Sequence, residues 1–328
     1  MPRAPSTRIS RLARRFAPVA ALLLAACGSA PPPPADGAAP QGGTAAPGSG
    51  SGSDPAAAGT AGAAPGASPH TGILSEEAFK ALHQLKAEQA PAPKGQTIQI
   101  EGARAYLSVP SGATAPLPAI LVIHEWWGLN EHIMHWTDRL AEDGYAALAV
   151  DLYGGKIAKT PDEAMASMKA VKEAAALGTL QAAHRFLETD ARVRAPRTGV
   201  IGWCFGGAWS LRLAIAEPNL DAAVLYYGML ITDPAKLKAI KAPLLGVFGN
   251  KDEMIPPKTV DEFDRALHEA GVTHSVLRYD ANHAFANPSG ARYDQKSADE
   301  AWRHVRSFLA SHLKDGAGAG SGEKAKTP

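Results

Sequence analysis

From residue 96 onward the apolar positions follow two periods in alternation, and that alternation predicts the fold class. Residues 96–100 and 104–109 switch between apolar and polar about Glu101-Gly102, which reads as a hairpin at a sheet edge. Residues 119–123, 146–150, 222–226, 244–248 and 274–279 are short apolar runs of the kind buried parallel strands require, and 198–203 is another. Helical stretches separate them. One spans 131–143 and stops at Gly144; one opens at Thr160-Pro161 and runs, with a break near Gly178, to about Glu188. Others follow Cys204 as far as Ala216, span 257–269, and close the domain at 296–313. Ahead of these, Ser75 caps an amphipathic helix with Ala78, Leu82 and Leu85 on one face, predicted to close at Pro91. Strand and helix in turn predict a single α/β domain over 73–313 with a mostly parallel, doubly wound sheet.

The first 72 residues have a different character. Arg3, Arg8, Arg11, Arg14 and Arg15 precede an apolar run at 19–26 too short to span a bilayer, and no acidic residue occurs before Asp36. This reads as a secretory signal over 1–26. It ends in Leu24-Ala25-Ala26-Cys27, similar to the lipobox of bacterial lipoproteins, which makes Cys27 the expected lipidated residue. Residues 27–72 are almost wholly Ala, Gly, Pro, Ser and Thr, a composition expected to act as a tether, and 314–328 read as a disordered tail. An exported protein, lipid-anchored to the cell envelope, is the expected location.

Net charge is +1; removing the five signal arginines from 33 basic residues leaves 28 against 32 acidic, so no nucleic-acid partner is expected. A monomer is expected as well. With Cys27 lipidated, Cys204 has no cysteine left to pair with.

Cys204 lies in Gly202-Trp203-Cys204-Phe205-Gly206-Gly207, after an apolar strand and before a helix. This is the pattern of a nucleophile elbow, whose cramped turn needs glycines where the helix crosses the strand. Parallel sheets bind ligands at the carboxyl ends of their strands, and three further reactive residues stand there. Asp252 follows 244–248, His283 follows 274–279, and Glu125 follows 119–123. Nucleophile, acid, histidine is the chain order of α/β-hydrolase triads, so the expected set is Cys204, Asp252 and His283, with Glu253 a rival for the acid. Backbone N–H groups of Phe205 and Trp126 are the expected oxyanion donors. Trp127, Trp203, Tyr153 and Phe285 flank these residues and are expected to line the substrate pocket. His124, His132 and His135 match no zinc spacing, and neither a metal nor a cofactor is expected.

With these blocks in view, the chain resembles the dienelactone hydrolase family. The resemblance rests on His-Glu-Trp-Trp-Gly at 124–128, Asp151-Leu152-Tyr153, the elbow, Gly-Asn-Lys-Asp at 249–252 and Asn-His-Ala-Phe at 282–285, and covers roughly 96–313. It implies an α/β-hydrolase fold, ester or lactone hydrolysis through an acyl-thioester, and a role for Glu125 in deprotonating the thiol. It also implies arginines two residues after Tyr153 and four after His283, to hold a substrate carboxylate. This chain has Gly155 and Asn287 there, with Lys156 and Arg292 nearby as point charges. A small ester or lactone other than an acidic one is therefore the expected substrate. Two alternatives stand beside it: another acyl bond, such as a thioester or small amide, and a non-catalytic binding lipoprotein with a vestigial site.

Overall fold

The apolar runs form strands because residues such as Ile120, Leu121, Val122 and Ile123 are buried whichever way they point. In the computed structural model, which describes residues 70–86 and 90–314, β1 (Gln96–Ile100) and β2 (Ala103–Ser108) make the edge hairpin. Next in the chain come β3 (Ala119–Ile123), β4 (Ala146–Val150), β5 (Thr198–Trp203), β6 (Ala222–Tyr226), β7 (Leu244–Gly249) and β8 (His274–Tyr279). They lie in the order β1-β2-β4-β3-β5-β6-β7-β8, antiparallel as far as β2 against β4 and parallel from β4 to β8.

Alternate strand residues feed two cores. Ile120, Val122, Ile201 and Val224 pack with Ile133 and Leu140 of α2 (Glu131–Glu142) and with Trp302, Val305 and Leu309 of α8 (Gln295–Leu313). Leu121, Ile123, Val200 and Leu225 face the other way. They meet Leu180 and Leu187 of α4 (Glu173–Thr189), Leu211 and Leu213 of α5 (Phe205–Ala216), and Phe263 and Leu267 of α7 (Pro257–Glu269).

The sheet places the site. β3 lies between β4 and β5, so successive connections leave it in opposite directions and open a crevice at the carboxyl ends of β3 and β5. Ile123 pairs with Gly202, which sets the loop holding Glu125 beside the turn holding Cys204.

Four boundaries differ from the sequence reading. α1 (Glu76–Leu82) is capped by Ser75 as expected but ends well before Pro91. The chain turns at His83, Leu85 then bridges Gly290, and the N–H of Lys86 donates to the carbonyl of Ser289; tertiary pairing overrides helical periodicity. The next helical stretch breaks at Val171 and Lys172, between α3 (Pro161–Ala170) and α4, whereas Gly178 stays inside α4 on an open surface. A single exposed glycine costs a helix only about 1 kcal/mol. Packing begins ahead of residue 73: Thr71 is buried and its hydroxyl donates to the carbonyl of Leu74. At the other end Lys314 is still engaged, donating to the carbonyl of Asp143. The signal at 1–26, Cys27, the tether as far as 69 and the tail from 315 lie outside the described residues.

Candidate active site

Cys204 ends β5 and caps α5 with φ +51 and ψ −113, a conformation that side chains rarely adopt. The turn closes because its neighbours lack side chains. A Cβ on Gly202 would collide with the carbonyl of Gly206, and one on Gly206 with the carbonyl of Ile123. The N–H of Cys204 donates to the carbonyl of Tyr226 at 3.0 Å, fixing the thiol above the sheet at the head of a helix, where the dipole favours negative charge.

His283 meets the sulfur from the loop after β8. Its Nε2 lies 3.5 Å from Cys204 Sγ and its Nδ1 2.8 Å from Asp252 Oδ2. The second oxygen of Asp252 accepts from the N–H groups of Met254 and Ile255 at 2.8 and 2.9 Å, so the carboxylate cannot swing away. Glu253, the rival acid, is exposed. Burial works to lower the pKa of His283, yet Asp252 and then Cys204 outweigh it and carry it up to about 10. Burial would likewise raise Asp252, but His283 and the two N–H donors hold it below its ordinary value.

Glu125 is pushed up to about 7 by burial, against a smaller downward pull from His283. Asn287 donates to its Oε2 at 2.6 Å, and Asn287 is itself oriented by Ser289, whose N–H and hydroxyl both donate to the Asn287 oxygen. The position where the family resemblance implies an arginine thus gives Glu125 a neutral partner. Because folding raises this carboxyl from an ordinary 4.5, the stability its neutral form contributes is complete below pH 4.5 and is lost as pH climbs through about 7. Glu125→Gln is expected to match the parent near pH 4.5 and to exceed it by about 2 kcal/mol above pH 7, the residue's remaining exposure reducing a full effect of about 3 kcal/mol. Denaturant unfolding of both proteins at pH 5 and pH 8 checks this; a difference that does not grow with pH refutes it.

Two cavities border the sulfur. One, of about 190 Å³, is lined by Phe79, Met168, Val171, Phe205, Trp209, Met229 and Met254, with His70, Glu173 and Arg212 as its polar members. A smaller one, of about 20 Å³, lies among His83, Glu125, Trp126, Trp127, Asn287 and Arg292. A third cavity, about 1110 Å³, is lined by Lys94, Ser108 and Arg192 among others and holds none of the elbow residues.

The expected pocket needs correcting. Trp127 borders the smaller cavity, and Tyr153 stands behind the wall with its ring 5.2 Å from that of Phe205. Trp203 and Phe285 line neither. Trp203 shares its strand face with Ile201 and packs on Trp136 and Tyr226, while Phe285 packs on Tyr227 and Tyr279. Phe205 and Trp126, the expected oxyanion donors, open α5 and follow β3 respectively, and Trp126 borders the smaller cavity with Cys204. Gly155 closes a turn by donating to Asp151, and Lys156 borders neither cavity at the sulfur.

Sequence reasoning missed two residues. Arg212 borders the larger cavity two turns along α5. His83 ends α1 with its Nε2 3.4 Å from Cys204 Sγ and its Nδ1 2.7 Å from the carbonyl of Phe79; burial, then the nearby His283, lower its pKa to about 3. Its only sequence signal is a lone histidine inside the predicted first helix, 121 residues before the cysteine. Among the described residues, His83, Cys204 and His283 are the group whose ligand atoms could hold a metal ion, all within 4.8 Å of one another. His124, by contrast, is engaged with the N–H of Leu152 and the carbonyl of Glu125.

The dienelactone hydrolase family model matches residues 103–313. The chain belongs to that family. Its sequence is 32% identical over 237 residues, 67% of this chain and 94% of the relative, to a Synechocystis protein named "Putative carboxymethylenebutenolidase". It is 30% identical, over 67% of this chain and all of the relative, to one of the same name from Aquifex aeolicus. Among solved structures, a Klebsiella pneumoniae "Putative Dienelactone Hydrolase" superposes with a TM-score of 0.62 at 29% identity, covering 67% of this chain and 99% of its own. The α/β-hydrolase fold and a carboxylic-ester hydrolase activity follow from this membership.

Proposed function

We propose that the chain hydrolyses small, largely apolar esters or lactones with Cys204 as nucleophile, His283 as general base and acid, and Asp252 holding His283 in one tautomer. The observation that carries this is the continuous line from Asp252 Oδ2 to His283 Nδ1, 2.8 Å, and from His283 Nε2 to Cys204 Sγ, 3.5 Å, at the apex of a strained turn. The sulfur gives up its proton to His283 and attacks the acyl carbon. The carbonyl oxygen becomes an oxyanion, to be met by the N–H groups of Phe205 and Trp126. His283 protonates the leaving alkoxide, and an acyl-thioester remains on Cys204. Water, losing a proton to the same imidazole, releases the acid and restores the thiol. Glu125, kept near neutral and paired with Asn287, supplies a carboxylate beside the smaller cavity that can hold or give one proton near neutral pH.

Substrate charge is read from the linings. Arg212 shares the larger cavity with Glu173, and Arg292 shares the smaller with Glu125. Each cavity holds a single guanidinium together with an acidic residue, so neither resembles the two-arginine clamp that the family resemblance implies for a substrate carboxylate. The deciding experiment is mass spectrometry of the protein quenched during turnover of a neutral p-nitrophenyl ester. Expected is an adduct of one acyl group on Cys204; steady hydrolysis without it refutes the nucleophile, and no hydrolysis of any ester favours a vestigial site. A kcat/KM at least about 10-fold higher for neutral esters than for lactones bearing a carboxylate is also expected, worth about 1.4 kcal/mol. A preference for the acidic lactones overturns this reading of the linings.

Export through residues 1–26, acylation at Cys27 and tethering at the cell envelope are proposed on the signal pattern alone. No helix among the described residues is long and apolar enough to cross a membrane.

A further inference from the structure

The proposed hydrolysis uses one imidazole on the sulfur, and the structure supplies two. His83 reaches Cys204 from α1, which lies outside the family-matched residues 103–313. We propose that His83, Cys204 and His283 form a binding site for a soft or borderline divalent cation, with Zn²⁺ the best fit, and that the bound ion caps the sulfur and reversibly switches hydrolysis off.

Geometry comes first. Around a tetrahedral zinc ion with Zn–S of about 2.3 Å and Zn–N of about 2.0–2.1 Å, sulfur and nitrogen stand about 3.5 Å apart. The two S···N distances here are 3.4 and 3.5 Å, and all three ligand atoms lie within 4.8 Å of one another, so binding draws the two ring nitrogens to the separation of about 3.3 Å that one such ion requires. Orientation agrees: a metal-bound histidine usually donates its other ring N–H to a carbonyl or carboxylate. His83 has the carbonyl of Phe79 at 2.7 Å from Nδ1, and His283 has Asp252 at 2.8 Å, so once the proton shared by Cys204 and His283 has left, each ring presents its Nε2 lone pair toward the sulfur. No hydrogen-bonding scheme uses both lone pairs at once, since the thiol has one proton to give. A cation uses both.

The donor set selects the ion. One thiolate and two imidazoles suit Zn²⁺ or copper and are poor ligands for Mg²⁺ or Ca²⁺. Three protein ligands leave a fourth position, and the cavity of about 20 Å³ bordering His83, Glu125 and Cys204 has room for one water. Binding requires the proton shared between Cys204 and His283 to leave for solvent, and the larger cavity bordering Cys204 gives the ion its way in. All three ligands are shielded once the ion is in place, His83 being 6% exposed, Cys204 3% and His283 not at all.

The test uses the purified full chain with Zn²⁺ and Co²⁺. Zn²⁺ is expected to bind one per chain with Kd below about 1 μM in competition with a chromogenic chelator. Co²⁺ is expected to give tetrahedral d–d bands with thiolate-to-metal charge transfer. His83→Ala should weaken Zn²⁺ at least about 100-fold, and Cys204→Ser should abolish the charge-transfer band. If the alanine variant fails to fold, His83→Gln serves the same comparison. Equal Zn²⁺ affinity with and without His83, or a Co²⁺ spectrum lacking thiolate charge transfer, overturns the site. The inhibitory half rests on the hydrolase reading and is read separately: activity should fall in proportion to occupancy and return on chelation, and full activity at saturating Zn²⁺ overturns it. Should no ester be hydrolysed at all, the spectra still decide the binding.

Discussion

Cys204→Ala is expected to lower kcat/KM for small esters by at least about 10⁴-fold with the fold intact. The size follows from what the residue alone supplies. His283 is carried up to about 10 by Asp252 and Cys204 against the effect of burial, so it can hold a proton taken from the sulfur at neutral pH. Removing the sulfur leaves a base with nothing to activate but water, and water lacks the fixed geometry of a group at the head of α5. Stability should change little. Cys204 is a small residue whose positive φ alanine tolerates no worse, and a cavity of one sulfur atom costs on the order of 1 kcal/mol. The measurement is kcat/KM on neutral aryl esters alongside a thermal melt. Activity within about 10-fold of the parent, from a folded variant, would remove Cys204 from the chemistry.

Those residues were legible in the sequence for a reason that also explains what was not. Cys204, Asp252, His283 and Glu125 each sit just past an apolar run, and in a parallel sheet all such positions gather at one edge. Strand ends can be read locally. A pocket wall cannot, because neighbours in sequence point to opposite faces: Trp203 precedes the nucleophile yet belongs to the core beneath α2 and α8. Phe285, two residues after His283, is likewise claimed by Tyr227 and Tyr279. The larger cavity is built instead by Phe79, Met168, Met229 and Met254, from four segments with no common motif.

α1 is the clearest case of a part whose existence was readable and whose role was not. Ser75 and the first-turn glutamates announce the helix, but its end is set by Leu85 bridging Gly290 and Lys86 bonding Ser289, contacts across some 200 residues. That early end turns His83 onto the sulfur. The same distant loop carries Asn287, which holds Glu125 where an arginine was implied. One segment, 284–292, therefore fixes both the added imidazole and the altered partner of the carboxylate, which is why neither could be found from α1 or from 124–128 alone.

Asp252→Asn is the second large effect, expected to lower kcat about 10³- to 10⁴-fold with little change in KM. Two N–H groups, of Met254 and Ile255, point at Oδ1, so an asparagine there must turn its oxygen to them and its NH₂ toward His283. Facing a donor, His283 Nδ1 must give up its proton, and the neutral ring then carries its hydrogen on Nε2, pointing at Cys204 Sγ. The base is present but turned the wrong way round. Losing Asp252 also removes the main influence that raises His283, so its pKa falls from about 10 and the protonated ring is lost at lower pH than in the parent. A merely loosened loop would shift neither quantity. The checks are steady-state kinetics and titration of the His283 ring by NMR: an unchanged titration, or a loss of activity confined to KM, would mean that Asp252 supports the loop and not the imidazole.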